Sequence, residues 1–411
     1  MGLTSSMKST SASRQSGAVS LFVVIFAMLL ITVVTIGFLR LMINDQSQAT
    51  NNDLSQSALD SAGAGVEDAK RALLRLQEVC KADLTPTKSV CNDLAARLNS
   101  IECNAALKEG NVISSGAFGA ASNGKTGEVR VQQTVGDTAL EQAYTCVTLD
   151  LTTEDYLGSA TANQSKLIPL VGENSFDRVT IEWFSREDIA GTSAAVDRPS
   201  SGQALRSNWP SNRPSVLRSQ FMQVGSSFTL QQFDYATSTE SNGNTTFLYP
   251  AINGYPQPVS LNDVDVRTSD PANEPPSKGE GVTPLPVGCS PTLDQGGYAC
   301  SAVIILPTPI GGGTRTAMLR LTPFYNATHY RVTLTNGATP VNFSGVQPII
   351  DSTGRANDLF RRVQTRVDMY DTSFPYPEAA VDVTGNFCKD FSVGWVVADY
   401  RASNSGVACN P

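Results

Sequence analysis

The chain has 411 residues, more than one small core accommodates, with 17% charged residues, a net charge of −8 and a pI near 4.9. That balance argues against nucleic acid as a partner, because phosphate binding needs clustered Lys and Arg. The 32 glycines and 22 prolines point away from a helical cytosolic enzyme and toward a β-rich, loop-rich extracellular domain.

Residues 1–16 are rich in Ser and Thr, with Lys8 and Arg14 as the only charged side chains. After Gly17 comes AVSLFVVIFAMLLITVVTIGFL, residues 18–39, without a charge. At 1.5 Å per residue this run spans about 33 Å, enough for the hydrocarbon of a bilayer. A secretory signal has a shorter apolar core and a small-residue cleavage site after it. Here Arg40 and the polar NDQSQATNN follow instead, so the segment is expected to stay attached. Lys8 and Arg14 on one side, with the cysteines on the other, place the N-terminus in the cytoplasm and the remainder outside. The expectation is a single pass through the cytoplasmic membrane.

The helical pattern continues past the membrane. Leu54, Ala58, Ala62, Val66, Ala69, Leu73 and Leu76 recur at steps of three and four, which draws one apolar stripe on a helix. Glu67 and Arg71 stand in the favourable i,i+4 order for an ion pair. One helix over 18–78 would be about 90 Å long, locally weakened at Gly63 and Gly65.

The string RQSGAVSLFVVIF, the apolar helix and the following QSQATNNDLSQSALDSAGAGVEDAKRAL resemble the N-terminus of type IV pilins. The likeness is greatest to PilX-type minor pilins and GspK-type tip pseudopilins, and it covers residues 14–75. It implies a leader peptidase cutting between Gly17 and Ala18, and packing of the N-terminal helix against other pilin subunits. Major pilins carry glutamate at the fifth mature position, which here is Phe22. A carboxylate is costly in lipid, and in those proteins it is thought to meet a neighbour's N-terminal amine. Phe22 therefore suits a subunit with no neighbour above it, at the tip of a filament or initiating it.

Eight cysteines, at 80, 91, 103, 146, 289, 300, 388 and 409, all follow the apolar segment. Outside the cytosol an even set reads as a disulfide framework. Sequence alone allows 105 connectivities. Pairing nearest neighbours gives Cys80–Cys91, Cys103–Cys146, Cys289–Cys300 and Cys388–Cys409. Zinc is the rival, but no C-x-x-C occurs and the single histidine, His329, is far from any cysteine in sequence.

Residues 79–126 read as a helical and looped disulfide region, with CNDLAARLNSI as a short amphipathic helix. From 127 the period changes to that of strands. EVRVQQTV, YTCVTLDL, DRVTIEWFS, SSFTLQQFDY, TTFLYP, CSAVIILP, TAMLRLTPFY, HYRVTLTN and RRVQTRVDMY all fit it. Long loops are expected over 189–215 and 267–287, the second dividing a β-rich subdomain over 127–270 from another over 271–411. The fold class is therefore α+β: a basic leader (1–17), a transmembrane and stalk helix (18–78), and a large disulfide-stapled β-rich head.

Several short strings have the form of chemical motifs. GAASNGKT at 119–126 has the form of a phosphate-binding loop, yet the strand EVRVQ follows it where a helix is required, so Asn123-Gly124 reads as a β-turn. A Ser/His/Asp triad would have to use His329, and no G-x-S-x-G elbow accompanies it. Asp263, Asp265 and Asp270 lack the glycine and the twelfth-position glutamate of a calcium loop. Asn163, Asn244, Asn326 and Asn342 begin N-x-[ST] sequons on a Ser/Thr/Asn-rich surface. No catalytic, cofactor or metal residues are assigned. The expectation is a non-enzymatic structural subunit, a minor pilin or tip pseudopilin that initiates or caps a filament and displays its head to a surface ligand not identified by the sequence. A permanently anchored surface adhesin is the alternative, and an anchored extracellular hydrolase the third reading.

Overall fold

The computed structural model describes residues 16–83, 88–113, 127–131, 141–191, 194–199, 209–223, 245–254, 257–260, 285–293, 297–313 and 317–370. Helix α1 runs Ser16–Ala82, 67 residues, or about 100 Å of rise. It extends the expected 18–78 helix at both ends, and neither Gly63 nor Gly65 breaks it. Of the predicted stripe, Ala58, Ala62, Val66, Ala69, Leu73 and Leu76 are buried, while Leu54 is half-buried. The expected Glu67–Arg71 pair does not form. Glu67 takes Lys70 at 2.7 Å and Asp68 takes Arg71 at 2.8 Å, both at i,i+3, one residue closer than i,i+4.

Helices α2 (Ser89–Leu98) and α3 (Ala105–Glu109) follow. Helix α2 covers the predicted amphipathic piece and buries Cys91, Leu94 and Leu98. The start of α2 has no local side-chain cap; instead Asp83 Oδ2 accepts from the amides of Val90 and Cys91 at 2.9 and 3.0 Å. That carboxylate satisfies two orphan donors and sits where the helix dipole favours negative charge. The Cys80–Cys91 disulfide ties the same junction.

Fifteen strands are described: β1 (Val129–Arg130), β2 (Ala143–Thr153), β3 (Asp155–Ala160), β4 (Lys166–Pro169), β5 (Phe176–Ser185), β6 (Val216–Gln223), β7 (Thr245–Ala251), β8 (Val259–Ser260), β9 (Leu285–Gly288), β10 (Tyr298–Ile310), β11 (Ala317–Phe324), β12 (Thr328–Asn336), β13 (Thr339–Val341), β14 (Phe343–Ala356) and β15 (Leu359–Arg366). They form a four-stranded sheet in the order β1-β2-β14-β15 and a six-stranded sheet β13-β12-β5-β10-β8, with β3 also on β12. The third sheet is β4-β11-β6-β7-β9. The six- and five-stranded sheets share one core. Val179, Ile181 and Trp183 of β5, Val332 of β12, Leu217 of β6 and Leu319 of β11 all belong to it. Burial alternates along β12 and through Val179, Ile181 and Trp183 of β5, the period-two pattern of a buried sheet face, while β11 is buried almost throughout.

The division expected near 271 does not separate two sheets. Strand β5 pairs antiparallel with β10, Ile181 facing Ala302, and β6 pairs with β11, Leu319 facing Phe221. Strands before and after 267–287 thus complete one another's hydrogen bonding. By compactness the chain instead forms one unit of residues 1–65, 118–145 and 353–363, and another of 66–117, 146–352 and 364–411. In the second unit, the Cys103–Cys146 disulfide, the acceptance by Asn104 Oδ1 of the Val147 amide at 2.9 Å and the acceptance by Asn99 Oδ1 of the Leu151 amide at 3.0 Å fasten residues 99–104 along β2. Cys289–Cys300 joins adjacent chain segments. Three of the four adjacent pairings are therefore bonded, and no free cysteine occurs among the described residues. Cys388 and Cys409 lie outside them, as do the predicted strand over 226–235 and most of 267–287.

Candidate assembly helix and head cleft

From Leu21 to Ile43, helix α1 is covered by large apolar side chains that are 48–78% exposed, Phe22 the most exposed at 78%. An 18-residue window of this helix reaches a mean hydropathy of 2.9 with none of it buried, so the helix is long and apolar enough to cross a membrane. Burying one such side chain is worth about 1.5–3 kcal/mol, so a run of this length calls for an apolar surrounding. Its two threonine hydroxyls are bonded within the helix. The Thr32 hydroxyl donates to the carbonyls of Met28 and Leu29 at 3.0 and 2.8 Å, and Thr35 donates to Ile31 at 2.8 Å. A hydroxyl bonded to its own helix needs no water, as hydrocarbon requires. Gly17 and Ala18, the expected cleavage pair, fall just inside the start of α1.

Lower on the same helix the surface turns amphipathic. Small residues bring neighbouring chain very close. Gly354 of β14 packs on the helix backbone at Ala58 and Ala62, and Gly110 packs on Ala72. Arg361 Nε donates to Ser55 Oγ at 2.8 Å beside the first of these contacts. Within that unit Arg355, 4% exposed, forms a two-pronged pair with Glu128, through Nε at 3.2 Å and Nη2 at 2.6 Å. Arg355 Nη1 also donates to the Asn357 carbonyl at 2.7 Å. The sequence carried no signal for either glycine contact, since both glycines sit in unremarkable local strings.

His329 belongs to a cleft at one end of the six-stranded sheet. Its backbone amide donates to both oxygens of Asp188, and Nδ1 lies 2.8 Å from Asp188 Oδ1. Nε2 faces Glu187 Oε2 at 3.2 Å. Asp188 also accepts from the Ser185 amide at 2.7 Å, closing a capping box on the single helical turn Arg186–Asp188. The partner of His329 is thus a carboxylate 141 residues earlier that stitches that turn to β12. Both ring nitrogens of His329 therefore face carboxylates, Asp188 and Glu187. Nearby, Tyr298 carries the Arg331 guanidinium 5.4 Å from its ring centroid, and Arg331 Nε donates to Glu182 at 2.6 Å. Burial raises the Tyr298 phenol above its ordinary value, with Arg331 pulling the other way, so it stays a neutral hydroxyl.

Residues 119–126 and Asp263, Asp265 and Asp270 lie outside the described residues. Among the sequons, Asn326 is occupied structurally: its Nδ2 donates to the carbonyls of Pro210 and Arg213, each at 2.9 Å. All six described cysteines are spent in disulfides, and no cluster of three metal-ligating side chains occurs among the described residues.

No known protein family, curated protein or solved structure matches the chain. What the molecule presents is an α+β protein with one long helix, apolar and exposed near its N-terminus, and a β-rich, disulfide-stapled body.

Proposed function

We propose that the chain is a structural subunit of a type IV filament system, a minor pilin or tip pseudopilin that initiates or caps assembly and displays its β-rich head. The observation that carries this reading is the change of character along helix α1: exposed and apolar over Leu21–Ile43, then buried along a small-residue stripe from Ala58 to Leu76. A helix built this way holds a head at one end and offers the other to lipid and, after assembly, to neighbouring helices. The disulfides fit an oxidising compartment outside the cytoplasm. With the N-terminus in the cytoplasm, the leader peptidase removes residues 1–17 and leaves Ala18 first. Phe22 in place of an acid suits a position with no subunit above it. The function is packing and display, without a chemical step.

The test is the N-terminus of protein extracted from membranes after co-expression with its own leader peptidase. Sequencing or intact mass should give a chain starting at Ala18. A start at Met1 supports the permanently anchored adhesin instead, and a start beyond about residue 40 indicates a secreted protein cleaved after its apolar segment.

A further inference from the structure

The cleft around His329 has a volume of about 560 Å3 and is built from the ends of β3, β5, β10 and β12 together with the turn Arg186–Asp188. Its wall is set by an unusual backbone. Phe184 is fully buried yet adopts φ 68°, a left-handed conformation that a bulky side chain rarely takes. The Thr328 hydroxyl accepts its amide hydrogen at 3.0 Å and holds it there. Just after Phe184, Ser185 ends β5 opposite Tyr298 of β10, and the turn that follows brings Arg186 and Glu187 to the cleft wall. Strain of this kind persists where surrounding structure enforces it, and it gathers at ligand sites. On the opposite rim Gly297 has φ 78°, and a side chain there would meet only open space.

The functional groups inside are mixed in a particular way. The Tyr298 ring is half-exposed, with Arg331 over it. Glu187, with its side chain 76% exposed, sets a carboxylate oxygen 3.2 Å from His329 Nε2. The Ser159 hydroxyl faces the same space and has no protein hydrogen-bond partner among the described residues.

Charge selects against ionic ligands. Arg186 is committed to the carbonyls of Ile189 and Gly191 at 3.3 and 2.7 Å, and Arg331 to Glu182, so an anion finds no free guanidinium and meets Glu187. A cation finds only one exposed carboxylate, with Arg186 adjoining it in sequence; Asp188 is 5% exposed and already satisfied by His329. What remains is the half-exposed Tyr298 ring beside the hydrogen-bonding groups of Ser159, Glu187 and His329. Pockets of this make-up orient a neutral, hydroxyl-rich ligand by a few convergent polar groups.

We propose that this cleft binds a neutral saccharide, with the Tyr298 ring against the sugar face and Glu187, His329 and Ser159 on its hydroxyls. The proposal goes beyond filament membership and stands whether or not the chain enters a filament.

The test uses the full chain in lipid nanodiscs on an array of neutral and acidic glycans. At least one neutral glycan should be retained above empty nanodiscs. Glu187→Gln and Tyr298→Ala should each weaken that binding about tenfold, the worth of a lost hydrogen bond or aromatic contact. Glu67→Gln, on the helix, should leave it unchanged. Because Glu187 is mostly exposed, its substitution leaves the fold intact and keeps the result readable. Retention of acidic glycans only, of no glycan at all, or binding indifferent to both cleft substitutions would overturn the proposal.

Discussion

Gly354 of β14 rests directly on the backbone of helix α1, so that a Cβ at position 354 would fall on the Ala58 carbonyl and the Ala62 amide, 2.9 Å from the Ala62 Cα. Backbone occupies the space, and backbone does not move aside as a flexible side chain would. Gly354→Ala should therefore cost about 1–3 kcal/mol, the range of overpacked cores, and Gly354→Val more. Denaturant unfolding of the full chain in detergent measures this. A Gly354→Ala protein as stable as the parent would mean the strand and helix part easily.

The pair of Arg355 and Glu128 gives a second prediction. Arg355 is nearly buried and Glu128 is 13% exposed, and the only other carboxylate paired with Arg355 among the described residues is the more exposed Glu141 at 3.6 Å. Glu128→Ala should destabilise by about 2–4 kcal/mol, below the cost of a fully stranded buried charge because Glu141 remains. Arg355→Lys should recover little, because an ammonium cannot reproduce the two-pronged contact. Unfolding midpoints of the two variants, compared with a Glu128→Ala/Arg355→Met double variant that removes both charges, separate pairing from packing.

Tyr249 supplies the pH dependence. It stacks edge-on to Trp209 at 6.1 Å, and Trp209 in turn lies over Tyr325 at 4.4 Å. Burial pushes the Tyr249 phenol from 10.0 up to about 12, against a smaller downward pull from Arg213. In the unfolded chain it ionises near its ordinary value. The stability it contributes is complete below pH 10 and is lost as pH rises from 10 to about 12, by at most about 2–3 kcal/mol. Tyr249→Phe should flatten the stability profile in that window, read by unfolding at pH 9, 10 and 11. An unchanged slope would place the alkaline loss in other tyrosines.

Helix α1 was legible because its signal is redundant: an uncharged run long enough for a bilayer, followed by seven apolar positions at helical spacing. Strands such as β12, HYRVTLTN, were legible for the same reason, one face alternating with the other. Strand β14 was missed because Gly345, Pro348 and Gly354 punctuate it like a loop, although it runs 14 residues. In its case Gly354 marks the close approach of the helix. The boundary near 271 failed because a long Gly/Pro-rich stretch says nothing about which strands pair, and β5 finds β10 more than a hundred residues on. The cleft was invisible for a related reason. Asp188 and His329 become neighbours only through the pairing of β3, β5 and β12, and no local pattern records that. The apolar helix, by contrast, needed no tertiary information at all.

The central claim, that this subunit enters a filament at or near its end, is tested most directly by immunogold electron microscopy of filaments from cells making the protein at native level. Antibody against the β-rich head should label filament ends, or sparse positions, in cells with an active leader peptidase, and should leave filaments bare when the gene is deleted. Dense, regular label along the whole shaft would show a major subunit and contradict the reading of Phe22. Label confined to the cell envelope, with none on filaments, would contradict the account as a whole.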